Sequence, residues 1–151
     1  MFWTDLGVTA QIERAFLDGS ERRVIINTGL SQPVGITIDY GDQRIYWSDI
    51  DLDRLEYSSF DGSGRSVVET EASGLLHPFA LTVANDLLFW TDWVTNSVYA
   101  THKVHGSSDS IGYFAVVATF LSDPYGIEAL LENRQQQGIV AVVVSCLWYS
   151  G

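Results

Sequence analysis

Three aspartates recur at equivalent places in the sequence and are the first candidates for chemistry. Asp5, Asp49 and Asp92 each end a four-residue motif that reads aromatic, Trp, small hydroxyl residue, Asp. The functional interpretation is a cluster of carboxylates. The structural interpretation is that each carboxylate accepts charge-assisted hydrogen bonds from backbone N–H groups and ties one repeat to the next. Identical placement in every copy favours the structural role.

A run of acidic residues follows the second motif. In the stretch from Asp49 to Asp53, Asp alternates with Ile and Leu, as at the start of a calcium-binding EF-hand loop. Such a loop needs Gly at its sixth position and a bidentate Glu at its twelfth, where this chain has Arg54 and Phe60. A solvated acidic turn is therefore favoured, and we predict no metal site and no cofactor.

Motifs for covalent or phosphate chemistry are also missing. The sequence Gly-Ser-Gly-Arg-Ser at 62–66 differs from a nucleophile elbow, which needs Gly-x-Ser-x-Gly. It also lacks the Lys that a phosphate-binding loop requires. We therefore predict no catalytic residues in this chain.

Composition argues against several classes of protein. The 151 residues include 8 basic and 19 acidic ones, and the net charge of −11 argues against nucleic-acid binding. The single cysteine, Cys146, allows neither an internal disulfide nor a cysteine-based metal site. No signal peptide is visible, and no apolar run reaches the roughly 20 residues that span a bilayer. We therefore expect no direct membrane insertion.

Three kinds of marker repeat along the chain with a spacing of 43 to 46 residues. They are the motif tryptophans Trp3, Trp47 and Trp90, the hairpin glycines Gly19, Gly62 and Gly106, and the prolines Pro33, Pro78 and Pro124. Four short strands with tight turns fit into each period, which is typical of a β-propeller blade. Packing between blades is the favoured role for the tryptophans, over a ligand cage.

The motifs resemble the YWTD repeats, or class B repeats, of the low-density lipoprotein receptor family. The resemblance rests on the three motif copies, on Leu-Asp-Gly-Ser at 17–20 and on His-Pro-Phe-Ala-Leu at 77–81. It is closest to the last repeats of a receptor-related endocytic receptor, before an EGF-like module. In that family six repeats close into a propeller. The resemblance implies an all-β fold with about three of six blades, each a four-stranded antiparallel sheet.

The resemblance also implies which strands are present. The motif strand is the second strand of its blade, and the strand that begins with Pro is the first. The implied blade fragments are residues 2–28, 33–70, 78–120 and 125–131, within a partial propeller at 1–137. An EGF-like module should follow, but an apolar sequence stands there, so 138–151 is expected to be an atypical apolar tail.

The implied function is a non-catalytic protein-binding or scaffold module. It would come from the extracellular part of a lipoprotein-receptor-like endocytic receptor, at the cell surface. The implied partners are a protein ligand or a neighbouring EGF-like module. Lipoprotein capture by this chain alone is not implied, because the cysteine-rich ligand-binding modules of the family are absent from it. An unclosed propeller leaves strand edges bare, which predicts self-association.

The histidines suggest a further hypothesis. In the receptor family the propeller helps to release ligand in acidic endosomes, and histidine titrates in that pH range. His77 and His105, both in predicted loops, are the candidate pH-sensing residues. The alternative is that they are ordinary surface histidines.

A metal-dependent lactonase or esterase is the alternative class, because some six-bladed propellers hold a catalytic metal in their central channel. That chemistry needs Glu, Asp, Asn or His side chains that converge from the inner strands. The candidates are Asp39, Asn85, Asp86 and Glu128, which stand at unequal positions in their repeats. We therefore favour the binding module over the enzyme.

Overall fold

The fold is built from short strands. The computed structural model describes residues 1–70, 74, 77–103, 115–119, 124–129 and 142–146. Within these residues every regular element is a strand, and no helix is long and apolar enough to cross a bilayer. In chain order the strands are β1 (Phe2–Asp5), β2 (Gln11–Arg14), β3 (Arg23–Ile26), β4 (Pro33–Asp39), β5 (Arg44–Asp49), β6 (Arg54–Ser59), β7 (Ser66–Thr70), β8 (Pro78–Ala84), β9 (Leu87–Asp92), β10 (Ser97–His102), β11 (Ala115–Thr119), β12 (Pro124–Ala129) and β13 (Val142–Cys146).

The strands form four antiparallel sheets in which neighbours in sequence are neighbours in space. Sheet A is β1-β2-β3, sheet B is β4-β5-β6-β7, sheet C is β8-β9-β10-β11, and sheet D is β12-β13. Sheets B and C are therefore complete four-stranded blades that begin with a Pro-led inner strand. The prediction of an all-β, unclosed propeller segment with four-stranded antiparallel blades is confirmed.

The hairpin turns are specified locally by Asp-Gly pairs. In the turn between β6 and β7, the Asp61 carboxylate accepts hydrogen bonds from the Ser63 N–H at 2.9 Å and the Ser63 hydroxyl at 2.6 Å. Gly62 has a φ of +88°, and a Cβ there would lie 2.3 Å from the Ile25 carbonyl oxygen in sheet A. Only glycine meets both requirements, so the turn fits closely against the preceding blade.

The core lies between consecutive sheets, because each sheet buries one apolar face against the next. Residues from sheets A and B form one cluster: Ile12, Ile26, Ile45 and Trp47. Residues from sheets B and C form another: Tyr46, Leu55, Val68, Leu81, Leu88 and Trp90. The inner strands β4 and β8 approach closely, since a Cβ on Gly35 would lie 2.3 Å from the Phe79 carbonyl oxygen. Adjacent sheets therefore pack as consecutive blades.

Sheet D contains a strand from the segment that was expected to be an atypical tail. Strand β13 pairs antiparallel with β12 and places Cys146 opposite Pro124. In sheets B and C the motif aspartate stands opposite the proline in the same way. The division between a propeller at 1–137 and a tail at 138–151 stays a prediction, because residues 130–141 lie outside the described ranges.

Candidate functional site

The motif tryptophans lie within the packed blades. Trp47 and Trp90 are fully buried, the first where sheets A and B meet and the second where sheets B and C meet. Trp3, in sheet A, is half-buried. These indoles contribute apolar area to the packing between sheets.

Asp49 connects two parts of the chain through its carboxylate. Its Oδ2 accepts the Ser31 N–H at 2.8 Å, and its Oδ1 accepts the Gln32 N–H at 3.0 Å and the Leu52 N–H at 3.2 Å. Ser31 and Gln32 belong to the connector that leads from sheet A into sheet B. The carboxylate therefore holds both this connector and the β5–β6 turn.

Asp92 occupies the same place in sheet C. Its Oδ1 accepts the N–H groups of Val94 and Thr95 at 2.9 and 2.8 Å. Burial raises the pKa of Asp92, against the lowering effect of these hydrogen bonds and of the charge of His77. Asp5 accepts one backbone N–H within its own turn. All three aspartates thus organise turns, and among the described residues Asp5 has one backbone partner, Asp92 two and Asp49 three.

In two of the three motif copies the hydroxyl residue bonds directly to the next blade, whereas Thr91 bonds to Ala80 within its own sheet. Thr4 Oγ1 donates to the Val34 carbonyl at 3.2 Å, and Ser48 Oγ donates to the Phe79 carbonyl at 2.6 Å. Ser48 Oγ also accepts the Gly35 N–H at 3.0 Å. From the sequence we assign the hydrogen-bonded connection between repeats to the aspartate and do not include the hydroxyl. The signal for the hydroxyl was present, because the third motif position is always Ser or Thr.

A charged pair covers the buried tryptophan of sheet B. Arg65 binds Glu56 through two nitrogens at 3.1 and 2.7 Å, and its guanidinium lies 5.4 Å from the centre of the Trp47 ring. It also donates to the carbonyls of Thr28 and Gly29 at 2.5 and 2.8 Å. Arg65 therefore combines a bidentate ion pair, a cation–π contact and two bonds to the connector.

The other two motif tryptophans are covered in different ways. In sheet A, Arg22 binds Glu13 through two contacts of 2.7 Å and lies 5.3 Å from the Trp3 ring. The hydrogen bond and charge of Arg22 lower the pKa of Glu13. In sheet C, Tyr99 stacks on Trp90 with ring centres 5.6 Å apart and planes at 21°. Sequence reasoning missed both arrangements.

Aromatic side chains gather at the end of the sheets where the motif aspartates lie. Trp93 lies 6.2 Å from the His77 ring and 6.4 Å from the Phe79 ring, and Phe79 meets Tyr125 edge-on at 5.5 Å. Trp93 and its neighbour Val94 are 39% and 54% exposed. These five residues form what we call the aromatic surface.

The acidic stretch lies beside the aromatic surface. Asp49 binds backbone N–H groups, the Asp51 carboxylate accepts the Ser31 hydroxyl at 2.9 Å, and the Asp53 carboxylate accepts the His77 N–H at 2.7 Å. Across the described ranges, no group of three or more His, Cys, Asp or Glu side chains has an arrangement that could hold a metal ion. Asp49 and Asp51 therefore share Ser31, whereas Asp53 binds His77.

The two candidate pH-sensing histidines have different standing in the structure. His77 adopts a φ of +40°, and its Nδ1 is buried without a hydrogen-bond partner, 3.7 Å from Asp53 Oδ1. His105 lies outside the described residues. The structure therefore places only His77, at the rim of the aromatic surface.

The opposite end of the blades carries a buried ion pair. Lys103 Nζ lies 2.5 Å from Asp39 Oδ2 and 3.1 Å from Asp42 Oδ2, which joins sheets C and B. Burial acts to raise the pKa of Asp39, but the hydrogen bond from Lys103 and two backbone N–H groups outweigh it, so this pKa is lowered. Lys103 N–H also donates to the Asp86 carbonyl. Asp39, weighed as a catalytic ligand, is therefore engaged by a lysine, while Glu128 is exposed.

Comparison with known proteins identifies related sequences. The family model for the low-density lipoprotein receptor repeat class B matches residues 1–40. The vitellogenin receptor Yl of Drosophila melanogaster is 43% identical over 112 residues, which cover 74% of this chain and 6% of that protein. Human low-density lipoprotein receptor-related protein 5 is 42% identical over 144 residues, covering 91% of this chain and 9% of that protein.

Two further comparisons extend this picture. The human low-density lipoprotein receptor-related protein 5-like protein is 33% identical over 129 residues, covering 85% of this chain and 48% of that protein. A chain in the crystal structure of a nidogen/laminin complex is 31% identical, with a TM-score of 0.46, covering 67% of this chain and 54% of that chain. The present chain thus spans less than half of each of these curated relatives.

Sheets B and C are four-stranded and antiparallel, and each has Trp and Asp at the same places in its second strand. The chain is therefore a segment of a β-propeller. Within that class, the chain carries class B, or YWTD, repeats like those of the low-density lipoprotein receptor family.

Proposed function

We propose that the chain acts as a non-catalytic protein-binding module in the extracellular part of an endocytic receptor, and that the aromatic surface is its docking site. The names of the relatives support a receptor context, since they include a vitellogenin receptor and receptor-related proteins. The expected partner is a protein ligand or a neighbouring EGF-like module. The motif Trp and Asp residues would then serve as scaffold.

The observation that carries this proposal is the exposure of Trp93. The motif tryptophans Trp47 and Trp90 are fully buried, whereas Trp93 is 39% exposed and contacts two further rings. Exposed aromatic residues that are held in place by neighbours are typical of the energetically dominant part of protein interfaces. The net charge of −11 adds a preference for basic partners.

Binding measurements with two defined probes test this proposal. The probes are purified vitellogenin, suggested by the name of the relatives, and a recombinant EGF-like module, each measured by surface plasmon resonance. We expect Trp93→Ala to weaken binding by about 30-fold, the effect of losing an aromatic hot spot. The matched control is Tyr40→Ala, which removes a ring that is 79% exposed at the opposite end of sheet B.

Two outcomes would contradict the proposal. If Trp93→Ala and Tyr40→Ala change the affinity equally, the aromatic surface is not the docking site. If neither probe binds the folded chain at neutral pH, the chain is not a module for these partners.

We also propose that His77 contributes to ligand release in acidic compartments. Protonation of its imidazole would place a positive charge 3.7 Å from Asp53 Oδ1 and beside Trp93, within the docking site. The affinity of the wild type should then fall between about pH 7 and pH 5.5, and the fall should be reduced in His77→Ala. Adding His105→Ala tests the second histidine. An unchanged pH dependence in both variants would remove the idea.

The alternative class, a metal-dependent hydrolase, is tested separately. Metal analysis of the purified chain is combined with a screen of esters and lactones. Turnover that follows the metal content of the sample would overturn the proposal of a non-catalytic module.

A further inference from the structure

His77 has a backbone conformation that its place in the chain does not favour. Its φ is +40°, in the left-handed region that residues with a Cβ seldom adopt. It also stands directly before Pro78, where steric contact with the proline ring favours extended backbone. Gln32, which stands before Pro33 in the matching place of sheet B, does not share this conformation. A conformation of this kind persists only where surrounding contacts hold it.

The contact that holds His77 comes from the preceding blade. Asp53 lies in the turn between β5 and β6 of sheet B, and its Oδ1 accepts the His77 N–H at 2.7 Å. In sheet B the matching N–H, that of Gln32, binds Asp49 of its own sheet at 3.0 Å. The two connectors are therefore held by different carboxylates, and the connector into sheet C is tied back to sheet B.

The backbone of His77 sets the place of its ring. The imidazole has its Nδ1 at 3.7 Å from Asp53 Oδ1 and its ring centre at 6.2 Å from that of Trp93. Nδ1 is buried and has no hydrogen-bond partner among the described residues. No hydrogen bond of Nδ1 fixes the ring there, so its position depends on the backbone bond to Asp53 and on packing against Trp93.

We propose that Asp53 is a positioning residue for the aromatic surface. By binding the His77 N–H, it keeps His77 left-handed and so keeps the His77 ring against Trp93. This inference rests on the proposed function, in which Trp93 is the central docking residue. Asp53 acts through His77 in this role, and it prepares the surface before a partner arrives. Such preorganisation lowers the cost of ordering side chains on binding.

Nuclear magnetic resonance of the full chain tests the positioning without a partner. The measured signal is the indole N–H of Trp93, assigned by its loss in Trp93→Phe. We expect Asp53→Ala to shift this signal, because the His77 N–H loses its acceptor. Asp53→Asn should shift it far less, because the amide oxygen can still accept the bond. The matched control is Asp51→Ala, since the Asp51 carboxylate binds the Ser31 hydroxyl instead.

The same spectra show whether each variant is folded. The buried indoles of Trp47 and Trp90 report on the packed blades and should not shift. If Asp53→Ala does not fold, Asp53→Glu takes its place, because it moves the carboxylate by one methylene and should also shift the Trp93 signal more than Asp53→Asn does. An unchanged Trp93 signal in the folded test variant would overturn the proposal. Shifts of equal size in the test variant and in Asp53→Asn or Asp51→Ala would also overturn it.

A double-variant cycle tests whether the effect passes through His77. Glycine adopts a φ of +40° without a steric cost, so His77→Gly should not need the bond to Asp53. In that background Asp53→Ala should leave the Trp93 signal unchanged, because the ring that Asp53 positions is gone. A shift as large as in the wild-type background would contradict the proposal, because Asp53 would then act on Trp93 by another route.

Binding separates a failure of this inference from a failure of the proposed function. With purified vitellogenin as the probe, Asp53→Ala should weaken binding by about fivefold, less than Trp93→Ala, because the docking ring is displaced and not lost. If Trp93→Ala weakens binding and folded Asp53→Ala does not, the proposed function stands and the positioning role is wrong. If the wild type does not bind the probe, the Trp93 signal still decides the positioning role.

Discussion

Sheets B and C share the same motif strand but cover its tryptophan with different chemistry. In sheet B, Glu56 stands opposite Trp47 and holds Arg65 over the indole. In sheet C, Tyr99 stands opposite Trp90 and stacks on it directly. The residue opposite the tryptophan on the third strand thus covers the ring itself in sheet C, whereas in sheet B it holds Arg65, which lies outside that strand.

The difference shows which part of a repeat is interchangeable. The tryptophan fills the space between two blades, so its size and place are constrained by packing on both sides. The residue opposite to it needs only to cover one face, and either an ion pair or an aromatic ring can do this. The two repeats therefore share the buried tryptophan and differ in the residue that stands opposite to it.

Removing a motif tryptophan should lower the free energy of unfolding more than any of the other substitutions, and by a similar amount in sheets B and C. Trp47→Ala and Trp90→Ala should each lower the free energy of unfolding by about 3 to 5 kcal/mol, because both indoles are fully buried. Urea unfolding followed by circular dichroism measures this. The half-exposed Trp93→Ala is the control and should change it far less. A much smaller cost at one motif tryptophan would break the equivalence of the two blades.

Removing the charged cover in sheet B should destabilise the chain more than removing only the hydroxyl of the aromatic cover in sheet C. Arg65→Ala should cost about 2 kcal/mol, because the buried Glu56 loses its partner and two connector carbonyls lose their donor. Arg65→Lys should recover only part of this, since an ammonium cannot form the bidentate pair. Tyr99→Phe keeps the stacked ring and should cost less than Arg65→Ala. The reverse order of these costs, in the same unfolding assay, would refute this account of the cover.

The hydroxyl that joins neighbouring blades should contribute a smaller amount. Ser48→Ala removes the donor to Phe79 and the acceptor for Gly35, and should cost about 1 kcal/mol. Ser48→Thr introduces the residue that the other two motif copies carry and should be close to neutral. Thermal unfolding of the wild type, Ser48→Ala and Ser48→Thr provides the measurement. If the hydroxyl had no role, the bulkier Thr would destabilise the chain more than Ala.

The smallest effect concerns the pH dependence of stability, which should have opposite signs in the two sheets. The pKa of Asp92 is raised in the folded chain, so the free energy of unfolding falls as pH rises from the ordinary value of 3.8 through the folded value. The pKa of Asp39 is lowered, so its contribution is complete above 3.8 and disappears as pH falls through the folded value.

The two asparagine variants separate these contributions. We compare the free energy of unfolding of each variant with that of the wild type as the pH rises from about 3 to about 7. The difference should shift in favour of Asp92→Asn and against Asp39→Asn. Unfolding free energies at a series of pH values provide the measurement. Slopes of the same sign would show that burial does not govern Asp92 or that Lys103 does not govern Asp39.

Much of the fold follows from the sequence by itself. The repeated tryptophans, hairpin glycines and prolines predicted the period and the four strands of each blade, because strand ends and tight turns are decided by neighbouring residues. Asp61-Gly62 is an example, since its turn is closed by the side chain of Asp61 and the conformation of Gly62. Trp47 and Trp90 are fully buried, and the packing role assigned to them from their regular spacing stays a prediction that the substitutions above test.

The candidate site depends on contacts that only the tertiary structure decides. Phe79 meets Trp93 at the end of two paired strands of sheet C, but it meets Tyr125 only because sheets C and D pack side by side. Strand β13 has no motif, yet it pairs with β12 in the motif register, because backbone hydrogen bonds do not require a particular side chain. Local sequence sets the strands and turns, but pairing and packing between blades set the surface that a partner meets.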